Sequence, residues 1–286
     1  MPAPGRCYAQ KGGRAMPQRT EEEKYLLGQV LPGIAAQLRG PMNNLAASML
    51  RALPEGPDGR PTRDAAIMQQ SYYRLLRLVD HLTQAPELLD DTPLPKENTE
   101  VCSFFGDICL RAEGLFAAKE VGLHFHCQEP TQVTALNRDY TARLMWNLLS
   151  NALKYSPPGG TVSVSVRFAA EQLLVSVADE GPGIPPDELG EVFDHWHRQQ
   201  ESTLSGRGFG LGLALSRHIA QRQGGRLLLG SRPRGGTAVT LALPRQLSAA
   251  NRLSQNSFDY AGGFSRELLE LSDALPYTAF LDPTEP

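Results

Sequence analysis

Asn147-Leu-Leu-Ser-Asn151-Ala-Leu-Lys154-Tyr155 closes a helical segment that the pattern places at about Asp139–Tyr155, ended by Ser156-Pro-Pro-Gly-Gly160. On a helix, positions 147, 151 and 154 share one face. Two amides and an ammonium facing the same way are costly in a core and unusual on a solvated face. An amide oxygen is a hard donor suited to Mg²⁺, and a lysine suits phosphate. Taken alone, the same residues also fit a helix that turns a polar face to water.

The flanking sequence narrows the choice. Thr161–Phe168 and Leu173–Ala178 alternate like paired strands. Asp179-Glu-Gly181-Pro-Gly183-Ile-Pro follows directly, a common turn by itself. In a site, its glycines would let backbone approach a ligand, and its carboxylate would accept a hydrogen bond from an adenine amino group. Gly206-Arg-Gly208-Phe-Gly210-Leu-Gly212 then runs into a helix near Leu211–Gln223. The amides of that helix start, with the positive end of its dipole, suit an anion. No Gly-Lys-Ser/Thr follows, which excludes a Walker loop, and no strand–GxGxxG–helix unit opens the region. Strands at Arg226–Ser231 and Thr237–Leu243, joined by Pro-Arg-Gly-Gly, complete a unit that begins near residue 97. It opens with a helix at Phe104–Lys119 and a strand at Gly122–Gln128. This order predicts an α+β fold, an α/β sandwich spanning residues 97–245, and not a Rossmann arrangement.

Upstream, Leu26, Val30, Ile34, Leu38, Met42, Leu45 and Met49 recur in steps of three or four, with Pro41 expected to bend the helix. Pro54-Glu-Gly-Pro-Asp-Gly-Arg-Pro61 is dense turn chemistry. A second helix carries Ile67, Leu75, Leu78 and Leu82 and fades before Asp91-Thr-Pro-Leu-Pro95. Residues 21–92 therefore read as a helical hairpin. Its apolar stripes predict a homodimer through a four-helix bundle. Residues 1–20 read as a polar tail too short to bury a ligand. Residues 246–286 form a second tail, in which Phe264, Leu268, Leu271 and Leu275 make a short amphipathic helix expected to fold back on the preceding unit.

The 286 residues are 41% hydrophobic and 21% charged with a formal net charge of −3, which excludes a disordered chain or a rod and gives no support for nucleic-acid binding. No apolar run approaches the roughly 18–20 residues of a membrane span. Cys7, Cys102, Cys109 and Cys127 lack metal-ligand spacing, so reduced thiols in a soluble, cytoplasmic protein are expected.

Together, the three polar motifs resemble those of the ATP-binding domain shared by sensor histidine kinases, gyrase-type ATPases and some serine kinases (the GHKL, or Bergerat, fold). The match is nearest to the histidine kinases of two-component systems. LMWNLLSNALKYSPPGG resembles their N box, DEGPGIP and GRGFGLGLALSRHIAQRQGG their two glycine boxes, and Glu191-Val-Phe193-Asp-His-Trp196-His-Arg198 their F box. YYRLLRLVDHL is similar to their second dimerisation helix, so the resemblance covers about residues 21–245. It implies ATP and Mg²⁺ as ligands, Asn151 as the metal ligand, and Asn147 beside it. It also implies Lys154 and Tyr155 near phosphates or ribose, Asp179 reading adenine, and Gly181, Gly183, Gly208, Gly210 and Gly212 shaping the pocket and lid. Arg198 or Arg207 would reach the γ-phosphate, and a response regulator or another signalling protein would be the partner. Chaperone and mismatch-repair relatives carry a glutamate where Asn147 stands. An amide is a poor general base, so the pocket reads as one that holds or transfers phosphate.

The phosphoacceptor segment breaks the pattern. Against His-Glu/Asp-Leu-Arg-x-Pro-Leu, this chain has Ala36-Gln37-Leu38-Arg39-Gly40-Pro41-Met42. Ala36 has no nucleophile, Gln37 is no base, and Gly40 replaces the Thr or Asn of phosphatase-competent relatives. His81 is the alternative acceptor, though its position reads first as bundle surface. His124 and His126 read as solvent-facing strand positions, His195 and His197 as F-box neighbours of Trp196 within reach of nucleotide, His197 with a stacking or packing role, His218 as surface and Trp146 as core. Phe209 stands where relatives often have Ser or Thr. Three functions fit: transfer to a protein histidine away from the usual site, a silent ATP-binding scaffold, or a serine kinase of the anti-sigma type, against which the hairpin argues.

Overall fold

The computed structural model describes residues 20–52, 61–128, 131–185, 211–231, 235–248 and 265–281. The first helix, α1 (Glu21–Tyr25), starts at a capping box: Thr20 Oγ1 accepts from Glu23 N, and the Glu23 carboxylate accepts from Thr20 N. One wide turn, Leu26–Val30, leads into α2 (Leu31–Ala52), with Pro41 accommodated inside the helix. Helix α3 (Arg63–Gln84) returns beside α2 and runs into a short 3₁₀ turn at Ala85–Leu89.

The hairpin stripe predicted as a single face divides in two. Ala35, Met42, Ala46 and Met49 pack against Tyr72 and Val79. Ile34, Leu38 and Leu45 remain 43–44% exposed, as do Ile67, Met68 and Leu75 on α3 to a similar degree. The reason is geometric: an apolar stripe wider than one helix contact serves two faces.

After the hairpin come β1 (Glu97–Glu100), α4 (Val101–Ala117), β2 (Gly122–Cys127), β3 (Val133–Leu136), α5 (Arg138–Tyr155), β4 (Thr161–Ala169) and β5 (Gln172–Asp179). Helix α6 (Leu211–Arg222) and strands β6 (Arg226–Ser231) and β7 (Thr237–Pro244) follow. The sheet order is β2-β4-β5-β7-β6, with β2 parallel to β4 and the other neighbours antiparallel. Alternating burial along β4 and β5 turns Val162, Val164, Val166, Leu173, Val175 and Val177 to one core, where α4 and α5 add Phe105, Phe116, Trp146 and Leu149. The fold is thus a helical N-terminal region followed by an α/β sandwich. The small β1–β3 ladder, Glu97–Glu100 against Val133–Leu136, is an addition that the sequence pattern did not reveal.

Residues 265–281 lie between the two parts. Helix α7 (Arg266–Leu271), capped by Ser265, buries Leu269 and Leu271 in the sandwich core, together with Ala274, Leu275 and Phe280. The hairpin grips the same segment. Gln70 Nε2 donates to the Leu275 carbonyl (2.6 Å), Arg74 Nε to the Ser272 carbonyl (3.1 Å), and Ser265 N to the Tyr73 hydroxyl (3.2 Å).

The expectation of reduced thiols is corrected for one pair: Cys102, in the first turn of α4, is disulfide-bonded to Cys127 at the end of β2, with Cα atoms 5.9 Å apart. Only packing of α4 on the sheet edge brings these two positions together. Cys109 is free and buried, which pushes its thiol up to about 12. Among the described residues, no helix is long and apolar enough to cross a membrane.

Candidate functional site

Helix α5 is set by Asn137, whose side chain accepts from Tyr140 N at 3.1 Å. At its other end, Lys119 Nζ donates to the carbonyls of Leu153 and Lys154, placing a cation on the negative end of the helix dipole. Between these ends, α5 buries its apolar residues and directs its polar face along the rim of the sandwich. Asn147 is 5% exposed, Asn151 and Lys154 are half-buried, and Tyr155 is exposed. The Asn147 Oδ1 is buried and, among the described residues, has no partner at hydrogen-bonding geometry.

Strand β5 delivers Asp179 to the same rim. Its Oδ1 accepts from Gly181 N at 2.8 Å and from Thr237 N at 3.3 Å. Burial pushes the carboxyl up, and these two amides oppose that shift. Gly181 is required by close approach: a Cβ there would lie 2.8 Å from both Asp179 Oδ1 and the Tyr155 carbonyl oxygen. Gly183 has φ +73°, a left-handed conformation open to glycine. The next turn is pinned where Ile184 N donates to Ser231 Oγ at 2.6 Å. The first turn of α6 closes the third side, since a Cβ on Gly212 would lie 3.2 Å from Asn147 Oδ1.

The structure therefore brings Asn147, Asn151, Lys154, Tyr155, Asp179, Gly181, Gly183 and Gly212 to one rim of the sandwich. Arg198, Arg207, Gly208, Gly210 and the F box lie outside the described residues. Thr237 and Ser231 escaped the sequence reading. Thr237 is opposite Asp179 in the β5–β7 ladder, 58 residues away, and only the pairing register discloses it.

Docking of the hairpin changes the reading of two histidines. The second hairpin helix runs along α5: Arg77 Nη1 donates to Ser150 Oγ at 2.8 Å, and Glu87 meets Arg143 at 3.3 Å. Between these rungs His81, expected on the bundle surface, lies beside the Asn147 amide. Burial, and secondarily the Arg77 charge, push its imidazole down to about 4, opposed by Asp273 and Asn147. His218, also expected at the surface, is 2% exposed, with Nε2 2.8 Å from the Asp90 carbonyl oxygen. It is enclosed because the chain between hairpin and sandwich crosses α6. His124 and His126 are exposed on β2, Trp146 is fully buried, and Ala36, Gln37 and Gly40 lie exposed on α2.

This arrangement belongs to a defined class. Residues 137–247 match the family described as histidine kinase-, DNA gyrase B-, and HSP90-like ATPase, and the chain carries an ATPase domain of that family. Its relatives are sensor histidine kinases. It is 33% identical to the sensor histidine kinase WalK of Bacillus subtilis (strain 168) over 79% of this chain and 38% of that one. It is 28% identical to the signal transduction histidine-protein kinase BaeS of Escherichia coli (strain K12) over 78% of this chain and 48% of that one. Among solved structures, full-length ShkA in complex with AMPPNP superposes with a TM-score of 0.62 at 20% identity, covering 78% of this chain and 47% of that one, a likeness of fold. The chain spans less than half the length of each of these proteins.

Proposed function

We propose that this chain is a histidine-kinase-type signalling protein that binds Mg·ATP at the α5 rim and passes the γ-phosphoryl group to a protein histidine. The observation that carries this reading is the buried Oδ1 of Asn147, without a hydrogen-bond partner among the described residues and facing Gly212, with Asn151 and Lys154 further along the same helix face. A buried acceptor without a donor costs about 1–3 kcal/mol, a cost removed when a ligand supplies the missing partner. Asn151 offers an amide oxygen to Mg²⁺, and Lys154, Tyr155 and the helix start at Gly212 surround the phosphates. Asn151 would hold a divalent cation that accompanies the phosphates. The ion would neutralise phosphate charge. Asp179, positioned by Gly181 and Thr237, reads the adenine amino group.

The domains follow the same reading: a hairpin over 21–92 that dimerises, a catalytic domain over 97–245 and a tail over 246–286, with a response regulator or similar signalling protein as partner. With Ala36 at the usual acceptor position, transfer goes to another histidine. Titration of the full chain with ATP, in Mg²⁺ and in EDTA, tests the pocket: Mg-dependent binding supports it, and absence of binding in Mg²⁺ overturns it. A silent scaffold would bind ATP without labelling any protein, and a serine kinase would give acid-stable label.

A further inference from the structure

We propose that His81 is the phosphoacceptor of this chain: its imidazole takes the γ-phosphoryl group of ATP bound at the Asn147–Asn151 face of α5. This inference rests on the preceding reading of the pocket and adds the identity of the acceptor.

The helix that would ordinarily carry the nucleophile presents Ala36, and residues 21–92 contain no histidine except His81. The placement of His81 follows from the register of α3 against α5. Arg77 meets Ser150, and Glu87 meets Arg143. His81 is one helical turn after Arg77, as Asn147 is nearly one turn before Ser150, so the two antiparallel helices bring His81 to Asn147. The Asn147 amide does stand beside the ring.

Among the described residues, two buried polar atoms at this junction have no hydrogen-bond partner, Asn147 Oδ1 and Arg77 Nε. One is an acceptor on the metal–phosphate face and the other a cationic donor one turn from His81. A phosphoryl oxygen would satisfy the Arg77 donor, while the Asn147 oxygen, an acceptor, would be satisfied by the cation that accompanies the phosphate. The remaining described histidines lack this setting: His124 and His126 are exposed on the edge strand β2, and His218 is enclosed against the Asp90 carbonyl.

In the step, the lone pair of a neutral imidazole nitrogen forms the N–P bond. The bond between the γ-phosphorus and the β,γ-bridging oxygen breaks, ADP leaves with that electron pair, and the proton on the other ring nitrogen is lost to water. Each turnover converts one ATP and one histidine to ADP, one phosphohistidine and one proton.

The test uses the full chain, His81→Gln and, as a control at an exposed histidine, His124→Gln. Each is incubated with γ-labelled Mg·ATP, and ATP affinity is measured in parallel. The expected result is alkali-stable, acid-labile label mapping to residue 81 in wild type and His124→Gln and absent from His81→Gln, with Mg·ATP still bound by wild type and His124→Gln. Label that survives in His81→Gln, or wild type that binds Mg·ATP and acquires no label, overturns the assignment of His81 while leaving the pocket intact. Failure of wild type to bind ATP overturns the pocket reading itself.

Discussion

Gly212 opens α6 directly against Asn147, so that a Cβ on the glycine would stand 3.2 Å from the buried amide oxygen. Two segments 65 positions apart in sequence thereby pack directly against each other. The amide oxygen at that contact has no hydrogen-bond donor among the described residues.

Disabling the ligand face should separate binding from assembly. Asn151→Ala and Asp179→Ala are each expected to weaken ATP binding by tenfold or more, about 1.4 kcal/mol, without altering the sedimentation of the protein. Unchanged ATP affinity in both variants would remove the basis for the site.

Gly181→Ala tests the close approach between the first glycine segment and the end of α5. The added methyl meets the Tyr155 carbonyl, a backbone atom that cannot swing away. A loss of about 1–3 kcal/mol in urea unfolding is expected, together with weakened ATP binding. Wild-type stability for this variant would contradict the geometry.

The contact between hairpin and sandwich is expected to depend on Arg77, which is 5% exposed and serves both Ser150 and Asp273. Arg77→Ala leaves the Asp273 carboxylate without its cation and should cost about 3 kcal/mol. Arg39→Ala, which removes only the exposed bond to Thr83, should fall within about 0.5 kcal/mol of wild type. Thermal unfolding of the two variants side by side distinguishes a buried tie from a surface one.

The exposed stripe of Ile34, Leu38 and Leu45 predicts self-association. The full chain should sediment as a dimer at micromolar concentration, and Leu38→Glu with Leu45→Glu should yield a folded monomer, since neither position contributes to the intramolecular core. A wild-type monomer under those conditions would count against the four-helix bundle.

His81 gives a pH dependence of stability. Its folded-state value of about 4 lies below its ordinary 6.5, so the unfolded chain takes up the proton first as pH falls. Its contribution is fully present above pH 6.5 and is lost as pH drops through the interval to about 4. Between pH 7 and pH 5 wild type should lose about 2 kcal/mol more than His81→Gln in urea unfolding, and parallel losses in the two proteins would refute the buried setting of the ring.

The sequence by itself determined the class of fold and most of one candidate polar face. Helical spacing puts Asn147, Asn151 and Lys154 on one side of α5, and strand alternation fixes which valines of β4 and β5 enter the core. These are properties of neighbouring residues, and periodicity exposes them. Only the tertiary structure decided what crosses between segments. Thr237 reaches Asp179 through strand register, and Cys102 reaches Cys127 through helix-on-sheet packing. His218 is enclosed by a crossing chain, and His81 is carried from a presumed surface to Asn147 by the docking of α3 on α5. Such contacts join residues tens of positions apart, and their energy depends on a geometry that no local pattern of hydrophobicity or charge encodes.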